Sequence, residues 1–334
     1  MQTSLNSFII DCDTGRDDAL TLWLAVRAGL PLVAVVASYG NVALENVADN
    51  TARILSLVDG DHIPLLVGLA RPQREHRLFG SVVEARQQVS GNGLCNLDFP
   101  QSPRKIASPS TPVEMAAALK DLASQYGALD YFIIGPASNF AAMATVLGAD
   151  LKTTVARVTM MGGKLDPLWE QMPGADFNIA SDPYAVDEIM HLGLPMRFVP
   201  MNATWPICMT QQEVEGLLPT TKLAKWAQDL MIAHCRDFAP EPVFRFHDPS
   251  VIVAAQMPEY YADKKLKLVC DETSADFGRL IESPDGVVCQ VYQTDAMTQD
   301  FIKQSILHGL GFDGVAPIPQ NIIGSSRKNA SLKL

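Results

Sequence analysis

Residues 8–20 read Phe8-Ile9-Ile10-Asp11-Cys12-Asp13-Thr14-Gly15-Arg16-Asp17-Asp18-Ala19-Leu20, an apolar run that ends in two aspartates, turns, and resumes on two more. Side chains alternate along a strand, so Asp11 and Asp13 leave the backbone on the same side. Thr14-Gly15 turns the chain, and Asp17 and Asp18 then stand in a first helical turn, where the dipole favours acids. Leu20, Leu24 and Ala28 continue at helical spacing until Gly29 stops the helix. Taken alone, Asp17 and Asp18 read equally well as ordinary N-terminal helix acids. Four carboxylates between Asp11 and Asp18 are harder to dismiss, because clustered like charges must be neutralised or driven to protonate. A cation is the economical solution, and oxygen-only ligands point to Ca²⁺ or Mg²⁺ rather than zinc or copper.

The same strand-then-helix alternation runs outward from this segment. Apolar runs recur at Leu32–Ala37, Leu65–Val67, Tyr131–Ile134, Val155–Met161 and Met196–Pro200, and helical periodicity fills 44–58 and 113–125. Such alternation implies crossovers and a mostly parallel sheet, whose ligand crevice lies at the carboxyl ends of the strands. Farther on, Gly278–Ser283 and Val287–Thr294 flank Pro284-Asp285-Gly286, which predicts an antiparallel hairpin. A last helix is expected over 298–310, and the Gly, Pro, Ser and Lys-rich stretch after Gly311 reads as a tail. The expected fold is α/β: a single domain over 1–312, with a mostly parallel, Rossmann-like central sheet flanked by helices and an added antiparallel hairpin, followed by a tail over 313–334.

With 48% hydrophobic residues, a chain of 334 can bury a substantial core. A formal charge of −11 disfavours nucleic acid and anionic membrane surfaces as partners, and a small neutral or cationic ligand fits better. Six cysteines without a CxxC pair indicate neither a zinc knuckle nor a disulfide framework, so reduced thiols are expected. The N-terminus lacks a basic stretch followed by an apolar one, and no apolar run reaches the roughly 18 residues that span a bilayer. The expected location is the cytoplasm.

Other segments place polar groups at strand ends. Phe244-Arg245-Phe246-His247-Asp248-Pro249 precedes an apolar helical stretch, where Asp248 alone reads as an N-cap before a first-turn proline. Gly174-Ala175-Asp176-Phe177-Asn178 sets Asp176 and Asn178 on alternate positions, and Asp182-Pro183 opens the next helix. Gly40-Asn41 and Gly135-Pro136, with Asn139, follow two further strands.

Together these segments resemble the inosine-uridine preferring nucleoside hydrolase family. Asp11-Cys12-Asp13-Thr14-Gly15-Arg16-Asp17-Asp18 matches that family's aspartate signature, and Gly40-Asn41, Met161-Gly162-Gly163, Asp176-Phe177-Asn178 and His247-Asp248-Pro249 follow in the family's order and approximate spacing. The likeness spans roughly residues 7–311, and five ordered motifs are far more specific than one. It implies Ca²⁺-dependent hydrolysis of the N-glycosidic bond of ribonucleosides to free base and ribose, a homodimer or homotetramer, and a place in nucleoside catabolism. By the resemblance, Asp13 is the general base, and Asp13, Asp18, Asp248 and the Ile134 carbonyl ligate the metal. Asp17, Asn41 and Asn178 hold ribose hydroxyls or the attacking water, Asp176 takes the 5′ end of the sugar, His247 lies near the leaving base, and Asp11 supports the metal loop from behind. The chemistry is consistent: carboxylates stabilise an oxocarbenium-like transition state, a cation acidifies water, and a histidine suits an acid for the departing base. Trp169, Trp205, Phe79 and Phe246 are stacking candidates, with core packing the commoner role for each.

The sequence also departs from the family. Where a His-Gly element is common, Val89-Ser90-Gly91-Asn92-Gly93-Leu94-Cys95 stands; an acid is replaced by Asn202 in Met201-Asn202-Ala203-Thr204; Glu170 replaces an asparagine near the sugar, where it becomes a candidate substrate contact; and Asp176 is one carbon shorter than the usual glutamate. Two rival readings stand beside the hydrolase. A haloacid-dehalogenase-type phosphatase would use Asp11 as nucleophile and Asp13 as acid/base, with Mg²⁺. A non-catalytic nucleoside- or ribose-binding homologue would keep the pocket without the turnover.

Overall fold

The strands in chain order are β1 (Phe8–Cys12), β2 (Leu32–Ala37), β3 (Leu65–Val67), β4 (Leu129–Ile133), β5 (Val155–Met161), β6 (Met196–Val199), β7 (Cys208–Thr210), β8 (Leu218–Pro219), β9 (Val243–Arg245), β10 (Ala262–Cys270), β11 (Leu280–Glu282), β12 (Val287–Gln293) and β13 (Phe312–Asp313). The computed structural model describes residues 5–237, 242–257, 262–271 and 277–313. A nine-stranded sheet runs β11-β10-β12-β6-β5-β4-β1-β2-β3. The first six strands pair in parallel, in the doubly wound order 3-2-1-4-5-6. Chain order reverses between β1 and β4, the place where such sheets open a ligand crevice.

β1 is buried at all five positions. Phe8, Ile10 and Cys12 pack on one side with Trp23 and Leu20, and Ile9 packs on the other with Tyr131 and Ile133. A strand covered on both faces reads as a continuous apolar run, and that is how this one reads. The helices Arg16–Arg27, Leu44–Ser56, Pro112–Tyr126 and Ala296–Leu310 fall within two residues of their expected bounds. Helix Pro112–Tyr126 starts on a capping box, in which Thr111 accepts from the Glu114 amide and the Glu114 carboxylate accepts from the Thr111 amide.

The expected hairpin is corrected. β11 and β12 do not pair with each other, because β10 lies between them and is antiparallel to both. Leu268 of β10 faces Glu282 on one side and Val287 on the other, so the Pro284-Asp285-Gly286 turn steps across the end of β10. A side chain at Gly286 would meet the Leu268 backbone at 2.6 Å, which is why glycine stands there. The turn signal was read correctly, but the third strand that separates its arms carries no turn signal of its own. The expected tail begins inside structure, since Asp313 pairs with Leu218; residues 314–334 lie outside the described residues. No two of the six cysteines are joined in a disulfide, and among the described residues no helix is long and apolar enough to cross a membrane.

Candidate active site

The aspartate loop sits at the carboxyl end of β1, over the β1/β4 junction. Asp18 is fully buried, and its carboxylate accepts the Gly15 amide at 2.9 Å and the Asp13 amide at 3.3 Å. It therefore serves its own helix start while facing the pocket floor, so the two readings of this acid are both realised. Asp13 is buried and accepts the Asn41 amide at 2.7 Å. A methyl group on Gly40 would overlap the Asp13 carboxylate, and one on Gly135 would come within 3.0 Å of it. Those glycines let the β2 and β4 loops close on the aspartates. Asn41 also reaches toward Asp18 at 3.4 Å, and its amide oxygen accepts from Arg86 at 3.0 Å.

Asp11 lies behind this layer with no exposure, and its two oxygens accept from Tyr131 Oη at 2.9 Å and Asn139 Nδ2 at 3.0 Å. Both oxygens are engaged and shielded from solvent, so Asp11 cannot attack a phosphate, and the phosphatase reading fails on this point. Cys12, in the middle of the motif, turns to the opposite face, with Sγ 3.7 Å from the Val36 carbonyl.

Helix His247–Gln256 begins two residues earlier than an Asp248 cap would require. Asp248 stands inside the first turn and projects to the cluster, where Asp17, Asp18 and Asp248 each bring an oxygen within 4.8 Å of the others. Burial raises Asp18 and Asp248 well above the ordinary carboxylate range, and their negative neighbours raise them further. Burial likewise pushes Asp13 up to about 7. A convergent all-oxygen set, with Asp18 and Asp248 buried and Asp17 partly exposed, fits a hard divalent cation. The tightest triad contains Asp17 rather than Asp13, which lies beside it.

Above the floor is a cavity of about 470 Å³ lined by Asp13, Asp17, Asn41, Ile134, Asp176, Asn178, His247 and Asp248 among others. Asn178 Nδ2 donates to the Ile134 carbonyl at 3.1 Å and the Met161 carbonyl at 3.2 Å. Asp176 caps helix Phe177–Ser181 and accepts from the Gly163 amide, and its carboxyl is raised by burial. Glu170 is not brought to the site: it is exposed on the short helix Leu168–Gln171 and outside the cavity lining. Lys164 lines that end instead, with Nζ on the Met172 carbonyl at 3.1 Å. Asn202 has a backbone task, accepting from the Leu165 amide and donating to the Leu165 carbonyl, both at 2.9 Å. An acid there could only accept.

His247 Nδ1 lies 2.7 Å from Thr204 Oγ1, and burial pulls the imidazole down to about 4. Of the stacking candidates only Trp205 lines the cavity; Phe246 is fully buried, Phe79 packs on Tyr39, and Trp169 lies under Arg279. Several wall residues escaped sequence reasoning: Arg16, Arg86, Arg245, His234, Lys164 and Phe177. Arg16 and Arg245 lie within motifs quoted for their acids and histidine, and that adjacency was the available signal. Arg86, on helix Ala85–Val89, offered none.

Residues 8–302 match the family model described as inosine-uridine preferring nucleoside hydrolase. The pyrimidine-specific ribonucleoside hydrolase RihA of Shewanella oneidensis is 28% identical over 262 residues, covering 76% of this chain and 78% of that protein. RihA of Klebsiella pneumoniae subsp. pneumoniae is 28% identical over 264 residues, with 76% and 80% covered. Among solved structures, a purine-preferring ribonucleoside hydrolase from Gardnerella vaginalis superposes with a TM-score of 0.76 at 24% identity, over 91% of this chain and 98% of that one. A plant nucleoside hydrolase, PpNRh1, gives a TM-score of 0.76 at 21% identity, over 93% and 99%. At those identities the two structures share the fold.

Proposed function

The chain belongs to the inosine-uridine preferring nucleoside hydrolase family and is an N-glycosyl hydrolase of ribonucleosides, and from that premise we propose that the Asp13–Asp248 pocket is its active site and works with Ca²⁺. The observation that carries this reading is the convergence of Asp17, Asp18 and Asp248, the last two buried, beside Asp13 at the cavity that Asp13, Asp17 and Asp248 line. Asp18 and Asp248 would hold the ion with Asp13, the Ile134 carbonyl and, from the triad, Asp17. When bound, the ion supplies a fixed double positive charge that grips ribose hydroxyls and acidifies water.

This chain's residues do the rest. Asp13, fixed by the Asn41 amide beside the acid triad, takes a proton from water as the water oxygen bonds to the anomeric carbon. The C–N bond breaks, its electron pair leaves with the base, and the surrounding carboxylates stabilise the positive charge left on the sugar. Asn178 and Asp176 orient the sugar, and Asn41 fixes Asp13. His247 is neutral near pH 7, so it aids the departing base by donating a hydrogen bond, with Thr204 setting its ring. A homodimer or homotetramer in the cytoplasm is the assembly and location we expect; six cysteines that form no disulfide with one another fit that compartment.

The test is a panel of purine and pyrimidine ribonucleosides assayed for both free base and ribose. Stoichiometric release of the two from at least one member is expected. Saturable binding with no release from any would turn the reading to a non-catalytic nucleoside-binding protein.

A further inference from the structure

We propose that the leaving-group end of the pocket is built for a base that carries negative charge, an ionised oxo-heterocycle or a carboxylated base, rather than for a neutral one. This rests on the hydrolase reading and names the substrate class of the same site. Three guanidiniums, those of Arg16, Arg86 and Arg245, line one cavity with His247 and Trp205. The Arg245 guanidinium lies 3.8 Å from the centre of the Trp205 ring, and Trp205 lies 6.0 Å from His247, which puts the cation on the side where the base departs. Arg86 approaches from the helix Ala85–Val89 and stands 4.7 Å over Phe177.

Charge balance for the aspartates accounts for this wall only in part: Arg86 lies within electrostatic reach of Asp13, Asp17 and Asp18, whereas Arg245 stacks on Trp205 beside His247. The acids on the floor converge on one point, where a divalent cation serves them more directly than three long side chains spread over the cavity. Arg86 hydrogen-bonds the amide oxygen of Asn41, a neutral group, and its Nε is buried without a hydrogen-bond partner. A buried donor of that kind costs free energy that hydrogen bonding to an acceptor-rich ligand offsets. A guanidinium stacked on an aromatic face presents its donors edge-on, the geometry that receives a carboxylate or an oxo-anion in two parallel hydrogen bonds. The 5′ end has a different arrangement, because Lys164 there is engaged by the Met172 carbonyl and faces Asp176, which leaves no comparable cationic wall for a sugar phosphate.

The experiment compares kcat/KM for matched ribosides with charged and uncharged bases, orotidine against uridine and xanthosine against inosine, together with uridine 5′-monophosphate. We expect the charged member of each pair to be preferred by about 10-fold or more, the worth of one charge-assisted hydrogen bond. Arg245→Met and Arg86→Met should each lower kcat/KM for the charged member at least 10-fold more than for its neutral partner. Should either variant fail to fold, inhibition of the wild-type enzyme by orotate against uracil gives the same discrimination, with orotate binding tighter. Equal or inverted preference within both pairs, or a preference for the 5′-monophosphate, would overturn the inference while leaving the hydrolase intact. No release from any riboside would instead strike the hydrolase reading itself.

Discussion

The floor of the pocket takes Asp13, Asp17 and Asp18 from a single turn of chain after β1 and only Asp248 from far away, whereas the wall adds Arg86 and Trp205, from two further elements, to Arg16, Arg245 and His247, which flank the acids in those same two segments. Gathering several like charges at one point requires close backbone control, which a strand end, a glycine-assisted turn and a helix start supply together. Recognising a base needs only a ring or a cation at the right distance, and a long side chain can deliver that from almost any neighbouring segment. The acidic end is thus mostly one local motif, and the cationic end is completed by Arg86 and Trp205, which only the tertiary fold brings in. Substitutions at the floor should strike turnover for every substrate, and those at the wall should change which substrate is favoured.

The largest effect is expected from Asp13→Asn. It removes the proton acceptor and should lower kcat by about 10³-fold for all ribosides, with the melting temperature near that of the wild type. A variant with normal kcat would take Asp13 out of the role of base. Gly40→Ala should cost about 10²-fold, because the added methyl pushes the Asp13 carboxylate from its place without altering any charged group. Retained activity would mean that the close approach of the two loops is dispensable.

His247→Ala should cost natural nucleosides roughly 10-fold in kcat and a nitrophenyl riboside much less, since nitrophenolate leaves without help. Equal losses on both would remove His247 from the leaving-group side. The smallest expected effect is that of Asn202→Asp, about 1–2 kcal/mol of stability by urea denaturation with kcat unchanged, because a carboxylate cannot donate to the Leu165 carbonyl. A variant as stable as the wild type would show that the two-way clamp contributes nothing.

The same contrast explains what could be read in the chain before folding. The parallel half of the sheet was legible because β2 is apolar throughout, β1 and β5 are predominantly so, and their helices are periodic. The far edge was not, since β10 carries Lys264, Lys265 and Lys267 among its apolar residues and separates the two arms of what looked like a simple hairpin. Asp13, Asn41, Asp176, Asn178, His247 and Asp248 were legible as ordered motifs, and the structure gathers all of them at one cavity. Glu170 was assigned by its position in a pattern, but a short helix turns it outward. Arg86 sits in a segment with no motif, and only the docking of its helix on the Gly40–Val42 loop, through Arg86 to Asn41 and Gln87 to the Gly40 and Val42 carbonyls, makes it a wall residue.

The central claim is that the aspartate floor holds a hard divalent cation on which N-ribosyl hydrolysis depends. Its most direct measurement is ribose release by enzyme stripped with chelator and then titrated with Ca²⁺, for the wild type and for Asp248→Asn. The account predicts that stripping abolishes release, that Ca²⁺ restores it saturably, and that Asp248→Asn shifts the restoring concentration upward by at least 10-fold. Full turnover by the stripped enzyme, with no response to added Ca²⁺, would contradict it.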